Sequence, residues 1–130
     1  MINSDIQLIV REIKKNIPLN IVSIILFGSA VKSVKTAEDY DFLIVTKKKF
    51  LQEWVLAGII KNNLLGKIGK PIDLVFLEEK DLKYGSPFLY EVSKKSKLIF
   101  GNDISRQLKK VCNKINPLIK GGSQVGWQVA

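Results

Sequence analysis

Two short apolar runs, split by a Gly-Ser break, constrain this chain more than any other feature. The first, Ile21-Val22-Ser23-Ile24-Ile25-Leu26-Phe27, is β-branched and too short for a typical helix, so it predicts a strand. At Gly28 the chain must turn sharply, and glycine suits a left-handed backbone or a close approach. Residues 29–34 read as a short helix starting at that turn. Its free N–H groups and the Ser29 hydroxyl would form a seat for an anion, although a plain strand–helix turn with Ser29 as N-cap fits the same residues. A polar connector leads to the second run, a strand expected at 40–46, with Asp39 just before it and Asp41 in it, one residue apart. Side chains at i and i+2 of a strand share a face, so the two aspartates project together while Tyr40 and Phe42 turn away. Carboxylates this close repel unless a cation lies between them. A hard divalent ion such as Mg2+, which takes oxygen ligands and bridges to phosphates, is the natural partner, and the stretch reads as a phosphoryl-handling site.

Composition narrows the alternatives. At 130 residues the chain is long enough for one domain with a real core and short for two, so a single domain over 1–120 with a flexible tail over 121–130 is expected. No apolar segment approaches the roughly 20 residues that span a bilayer, and the first residues, Met1-Ile2-Asn3-Ser4-Asp5, lack a signal peptide's basic start and apolar stretch. Cys112 is alone, which excludes an internal disulfide and fits a reducing cytoplasm. The absence of histidine removes Ser-His and Cys-His nucleophilic schemes and leaves carboxylates as the chemical groups. The formal charge of +9 favours polyanionic partners in general. Only Arg11 and Arg106 offer the guanidinium fork used in specific base readout, so nucleic acid is not expected as a specific partner.

The remaining elements follow from spacing. Ser4 and Gln7 have the form of a capping box, and apolar residues at 6, 9, 10, 13 and 17 recur at helical intervals until Pro18 and Asn20. Lys47-Lys48-Lys49 ends the second strand. Leu51, Trp54, Val55, Leu56, Ile59, Ile60 and Leu64 form a broad helical stripe suited to covering a sheet. A third strand is expected at 72–77, with Asp73 second in it. Pairing beside the Asp41 strand would bring Asp73 to the same site, whereas a place at the strand mouth would leave it solvated and idle. Glu78 to Leu82 reads as an acidic loop with a short helical turn, and Ser86-Pro87 starts another helix. A short strand is expected at 97–102. A last helix, capped by Asn102 or Asp103, carries Ile104, Leu108, Val111, Cys112 and Ile115 on one face and ends at Asn116-Pro117. Trp127 in the tail has no place in this core.

Taken together, Gly28-Ser29, Asp39-x-Asp41 and Ile72-Asp73-Leu74 resemble the pattern of the minimal nucleotidyltransferases of the DNA polymerase β superfamily. The resemblance extends over residues 1–115. It implies an α/β (α+β) fold, a small mixed sheet flanked by helices like the polymerase β palm. It also implies an enzyme that moves a nucleoside monophosphate, AMP from ATP or another nucleoside triphosphate, to an acceptor hydroxyl. On this resemblance Asp39, Asp41 and Asp73 hold two Mg2+ ions and do the catalysis, with Asp73 nearest the acceptor, and Gly28, Ser29 and Lys32 bind the phosphates. The minimal proteins are also similar to the antitoxin half of a pair whose partner is a helical ribonuclease of the HEPN type. The acceptor would then be a tyrosine of that toxin, with a homo-oligomer as a further possibility.

Two details differ from the family pattern. Nine residues separate Ser29 from Asp39, one fewer than is usual, and Val31-Lys32-Ser33 replaces a small-Arg-Gly segment. Lys32 keeps the arginine's charge without its planar fork. A relative with this fold that is weak or inactive in catalysis and works by binding its partner is therefore the second reading.

Overall fold

The β-branched run forms strand β1, Ile21–Phe27, and the run with the aspartates forms β2, Tyr40–Thr46. Both follow the expected bounds. The structure, a computed structural model, describes residues 3–17, 20–48, 52–112, 115–120 and 123–129. Strands β3 (Ile72–Glu78) and β4 (Ser96–Gly101) join the first two in one sheet of order β3-β2-β1-β4. β1 runs antiparallel to β2 and β4, and β2 runs parallel to β3. A parallel pair needs a crossover connection, and helix α2 (Glu53–Leu64) supplies it between β2 and β3.

The two central strands are buried on both faces, which explains why their sequences are apolar without alternation. On one face Ile24, Leu26, Phe42 and Ile44 pack with Ile6, Ile9 and Ile13 of helix α1 (Ser4–Asn16) and with Ile60 and Leu64 of α2. On the other face Val22, Ile25, Leu43 and Val45 pack with Leu89 and Val92 of α3 (Pro87–Lys94) and with Leu108 of α4 (Ser105–Cys112). The result is the expected small mixed sheet flanked by helices. Among the described residues, no helix is long and apolar enough to cross a membrane.

Local signals held in most places and failed in four. The Ser86 hydroxyl caps α3, accepting from the Leu89 N–H at 3.1 Å, and the buried Ser23 hydroxyl donates to the Asn102 carbonyl oxygen at 2.5 Å. The cap of α1, however, is Asn3, whose Oδ1 accepts from the Ile6 N–H at 2.8 Å, so Ser4 is already helical. The stripe on α2 is only partly covered. Ile60 and Leu64 are buried, while Trp54 is 78% and Ile59 43% exposed, because the apolar residues spread around the helix and the sheet takes one side of it.

The last helix is described over Ser105–Cys112, and Ile115 belongs instead to strand β5, Ile115–Lys120. Pro117 is compatible with this strand because a two-stranded sheet has only edge strands. β5 pairs antiparallel with β6, Ser123–Val129, so this part of the expected tail is strand and pairs across the boundary expected at 120. Its period-two sequence, Val125-Gly126-Trp127-Gln128-Val129, suits a strand. Pro18, Lys49, Leu51 and Gly121-Gly122 lie outside the described residues.

Candidate active site

The three aspartates meet where β1 ends and β2 and β3 begin. The sheet register places Phe27 opposite Asp41 and Asp41 opposite Asp73, so neighbouring strands bring these positions into one row. Asp39 lies one residue before β2. One carboxylate oxygen each from Asp39, Asp41 and Asp73 lies within 4.8 Å of the others. Asp39 and Asp41 are half-buried and Asp73 is exposed, which leaves the cluster open to solvent on the β3 side.

Gly28 makes this arrangement possible. Its φ is +77°, in the left-handed region, and a Cβ built there would stand 2.5 Å from Asp41 Oδ2. Any side chain would therefore be strained and would press on the carboxylate. The segment after it, Gly28–Val31, is a single 3-10 turn, in which the Lys32 and Ser33 N–H groups both donate to the Ser29 carbonyl oxygen at 3.2 Å. Ala30 is buried beneath the turn, whereas Ser29 is exposed. Lys32 is exposed as well, and among the described residues no lysine or arginine forms an ion pair with the three carboxylates.

The electrostatics follow from that geometry. Burial, then the charges of Asp39 and Asp73 and hydrogen bonds with both, push the Asp41 carboxyl up to about 6. Three acids converge with no cationic side chain paired to them among the described residues, which is unfavourable when all are ionised. The donor set is oxygen only, half-buried and open on one side. It fits a hard divalent ion of the Mg2+ class, with Asp39, Asp41 and Asp73 as the groups that could hold it.

The site is braced by contacts with no local sequence signal. The Tyr40 hydroxyl donates to Asp5 Oδ2 of α1 at 2.8 Å, across 35 positions of chain. Burial pushes the Tyr40 phenol up, and the neighbouring Asp5 adds to the shift. Phe27 meets Phe88 edge-on, with ring centroids 5.3 Å apart. A cavity of about 930 Å3 opens at the opposite end of β2 and β3, beside Lys47, Lys80, Tyr84 and Lys110, and is lined by none of the three carboxylates.

The chain is thus an α/β protein whose mixed sheet gathers three aspartates at one end of neighbouring strands. Residues 7–105 match Polymerase beta, Nucleotidyltransferase, and the chain belongs to that family. No curated protein sequence matches it. Among solved structures, the chain is similar to one of a toxin–antitoxin with AMP-PNP, at 21% identity and a TM-score of 0.59, covering 82% of this chain and 83% of that one. It is also similar to a chain from a tri-AMPylated Shewanella oneidensis HEPN toxin in complex with MNT antitoxin, at 22% identity and a TM-score of 0.55, covering 81% and 78%. A third likeness is to spectinomycin adenyltransferase AAD(9) from Enterococcus faecialis with ATP and spectinomycin. There the identity is 18%, the TM-score 0.64 and the coverage 79% of this chain and 57% of that one. At these identities the likenesses establish the fold.

Two outcomes are expected from this geometry. Gly28→Ala should destabilise the chain by at least about 1 kcal/mol through its backbone strain and should also weaken divalent-ion binding, because the new methyl group displaces Asp41. Urea unfolding and calorimetric Mn2+ titration check the two parts. The second outcome concerns pH. The folded, metal-free chain keeps a proton on Asp41 up to about 6, whereas the ordinary value is 3.8, so in that window the folded state binds more protons than the unfolded one. Stability from this group is therefore present at low pH and lost as pH rises through the window. In EDTA, the Tm difference between the wild type and Asp41→Asn should shift against the wild type on going from about pH 4 to about pH 7. A difference independent of pH would contradict the assigned shift.

Proposed function

We propose that this chain is a Mg2+-dependent nucleotidyltransferase that transfers AMP from ATP to an acceptor hydroxyl. The acceptor proposed is a tyrosine of a HEPN-type toxin, which the transfer would silence, making this chain an antitoxin. The observation that carries the reading is the convergence of Asp39, Asp41 and Asp73 beside the Gly28 turn in a member of this family. Support for the partner comes from fold likenesses to chains of toxin–antitoxin structures.

In this reading Asp39, Asp41 and Asp73 would hold two ions of the Mg2+ class, with Asp73 on the side of the acceptor. The ions, when bound, offset charge on the triphosphate and on the attacking and leaving oxygens. Gly28 and Ser29 present backbone N–H groups and a hydroxyl to the terminal phosphates, and Lys32 adds a positive charge nearby. Asp73, the most exposed of the three acids, accepts the proton of the acceptor hydroxyl. The hydroxyl oxygen then bonds to the α-phosphorus, the bond from that phosphorus to the bridging oxygen breaks, and pyrophosphate leaves with the electron pair.

One observation favours a second reading, in which the fold silences its partner by binding alone. Val31-Lys32-Ser33 stands where the family pattern has small-Arg-Gly, and a lysine cannot reproduce bidentate phosphate contacts. Titration of ATP in the presence and absence of Mg2+ separates the two. The enzyme reading expects Mg2+-dependent binding that weakens at least roughly 10–100-fold in the Asp39→Asn, Asp41→Asn double variant. Absence of binding at millimolar nucleotide would favour the binding-only reading.

A further inference from the structure

Lys70 lies in the turn that enters β3, three residues before Asp73. We propose that it is a positioning residue, a clamp that ties the connector before Asp39 to the start of β3 and so sets the spacing of the three carboxylates. The proposal rests on the reading of that triad as an ion seat.

The contacts are specific. The Lys70 ammonium donates to the Val34 carbonyl oxygen and, at 3.4 Å, to that of Lys35. The same nitrogen stands 5.5 Å from the centroid of the Tyr40 ring. The next residue, Pro71, accepts the Tyr40 N–H on its carbonyl oxygen at 2.9 Å. Tyr40 is buried between Asp39 and Asp41 in the chain and is anchored to α1 through Asp5. A single side chain thus reaches the connector that delivers Asp39 and the ring of the residue between the paired acids, and it does so from the backbone that delivers Asp73.

Ala37 is buried in the core and Val34 packs against it, but the connector's other hydrogen bonds are local. Ser33 accepts from Ala37 on its carbonyl oxygen at 3.1 Å and from the Thr36 N–H on its hydroxyl at 3.4 Å, both contacts within four residues along the chain. It also lacks the Arg-Gly segment of the family pattern. A lysine suits the task because its long stem carries the ammonium within reach of both the Tyr40 ring and the connector carbonyls, with three donors to offer.

Clamping and simple charge effects have opposite signs. Removing a cation near an ion seat should by itself strengthen cation binding, because like charges repel. Loss of the clamp should weaken it, because the carboxylates lose their fixed spacing. The test uses Mn2+ as probe in calorimetric titration of the full chain, with Lys70→Met and Lys70→Arg, beside amide hydrogen exchange of the metal-free proteins. Lys70→Met should bind Mn2+ roughly 10-fold or more weakly, with faster exchange confined to residues 34–41. Lys70→Arg, which can still donate to both carbonyls, should recover most of the affinity. Equal or tighter Mn2+ binding by Lys70→Met, or exchange raised uniformly over all strands, would overturn the clamp. A wild type that takes no Mn2+ would overturn the ion-seat reading itself, and the exchange at 34–41 would still decide whether Lys70 holds the connector.

Discussion

Mutual repulsion among three carboxylates is the constraint on which the rest of this structure bears. Asp39, Asp41 and Asp73 are held within 4.8 Å of one another, and the chain provides no cationic side chain to separate them among the described residues. Left alone, such a cluster pulls protons up onto Asp41, and the surrounding fold must resist its spreading. The resistance comes from the central strands. β1 and β2 carry a nearly continuous run of buried apolar residues, packed by α1 and α2 on one face and by α3 and α4 on the other. A one-residue slip would exchange side chains between the two faces and force both cores to repack, which favours the register that pairs Asp41 with Asp73.

The polar end of the sheet shows how backbone and charge work together. Gly28 brings the turn after β1 so close to Asp41 that no Cβ fits, and this closeness would place backbone donors beside any anion drawn to the ions. Tyr40, between the two acids in sequence, points into the opposite core and ties the strand to α1 through Asp5. The alternation of a strand thus divides adjacent residues between chemistry and anchorage, with Asp39 and Asp41 on one side and Tyr40 and Phe42 on the other.

Much of this was legible in the sequence, for identifiable reasons. Strands 21–27 and 40–46 were marked by β-branched runs, the turn by its glycine, and the Ser86 cap by the proline that follows it. The place of Asp73 was not a local property. It depends on β3 pairing parallel to β2 through the α2 crossover, and in advance only the resemblance to the nucleotidyltransferases brought Asp73 to the same site. The hairpin of β5 and β6 was missed because Ile115 continued the helical spacing of Ile104, Leu108 and Cys112, and because proline usually argues against a strand. The exposure of Trp54 and the reach of Lys70 to Val34 are tertiary facts without a pattern in neighbouring residues.

The most direct test of the account is the anomalous-scattering map of crystals grown with Mn2+ and AMP-PNP. The account expects Mn2+ among the carboxylates of Asp39, Asp41 and Asp73, with the terminal phosphates of the nucleotide against Gly28 and Ser29. Nucleotide bound in the lysine-lined cavity at the other end of the sheet, with no Mn2+ at the three aspartates, would contradict it.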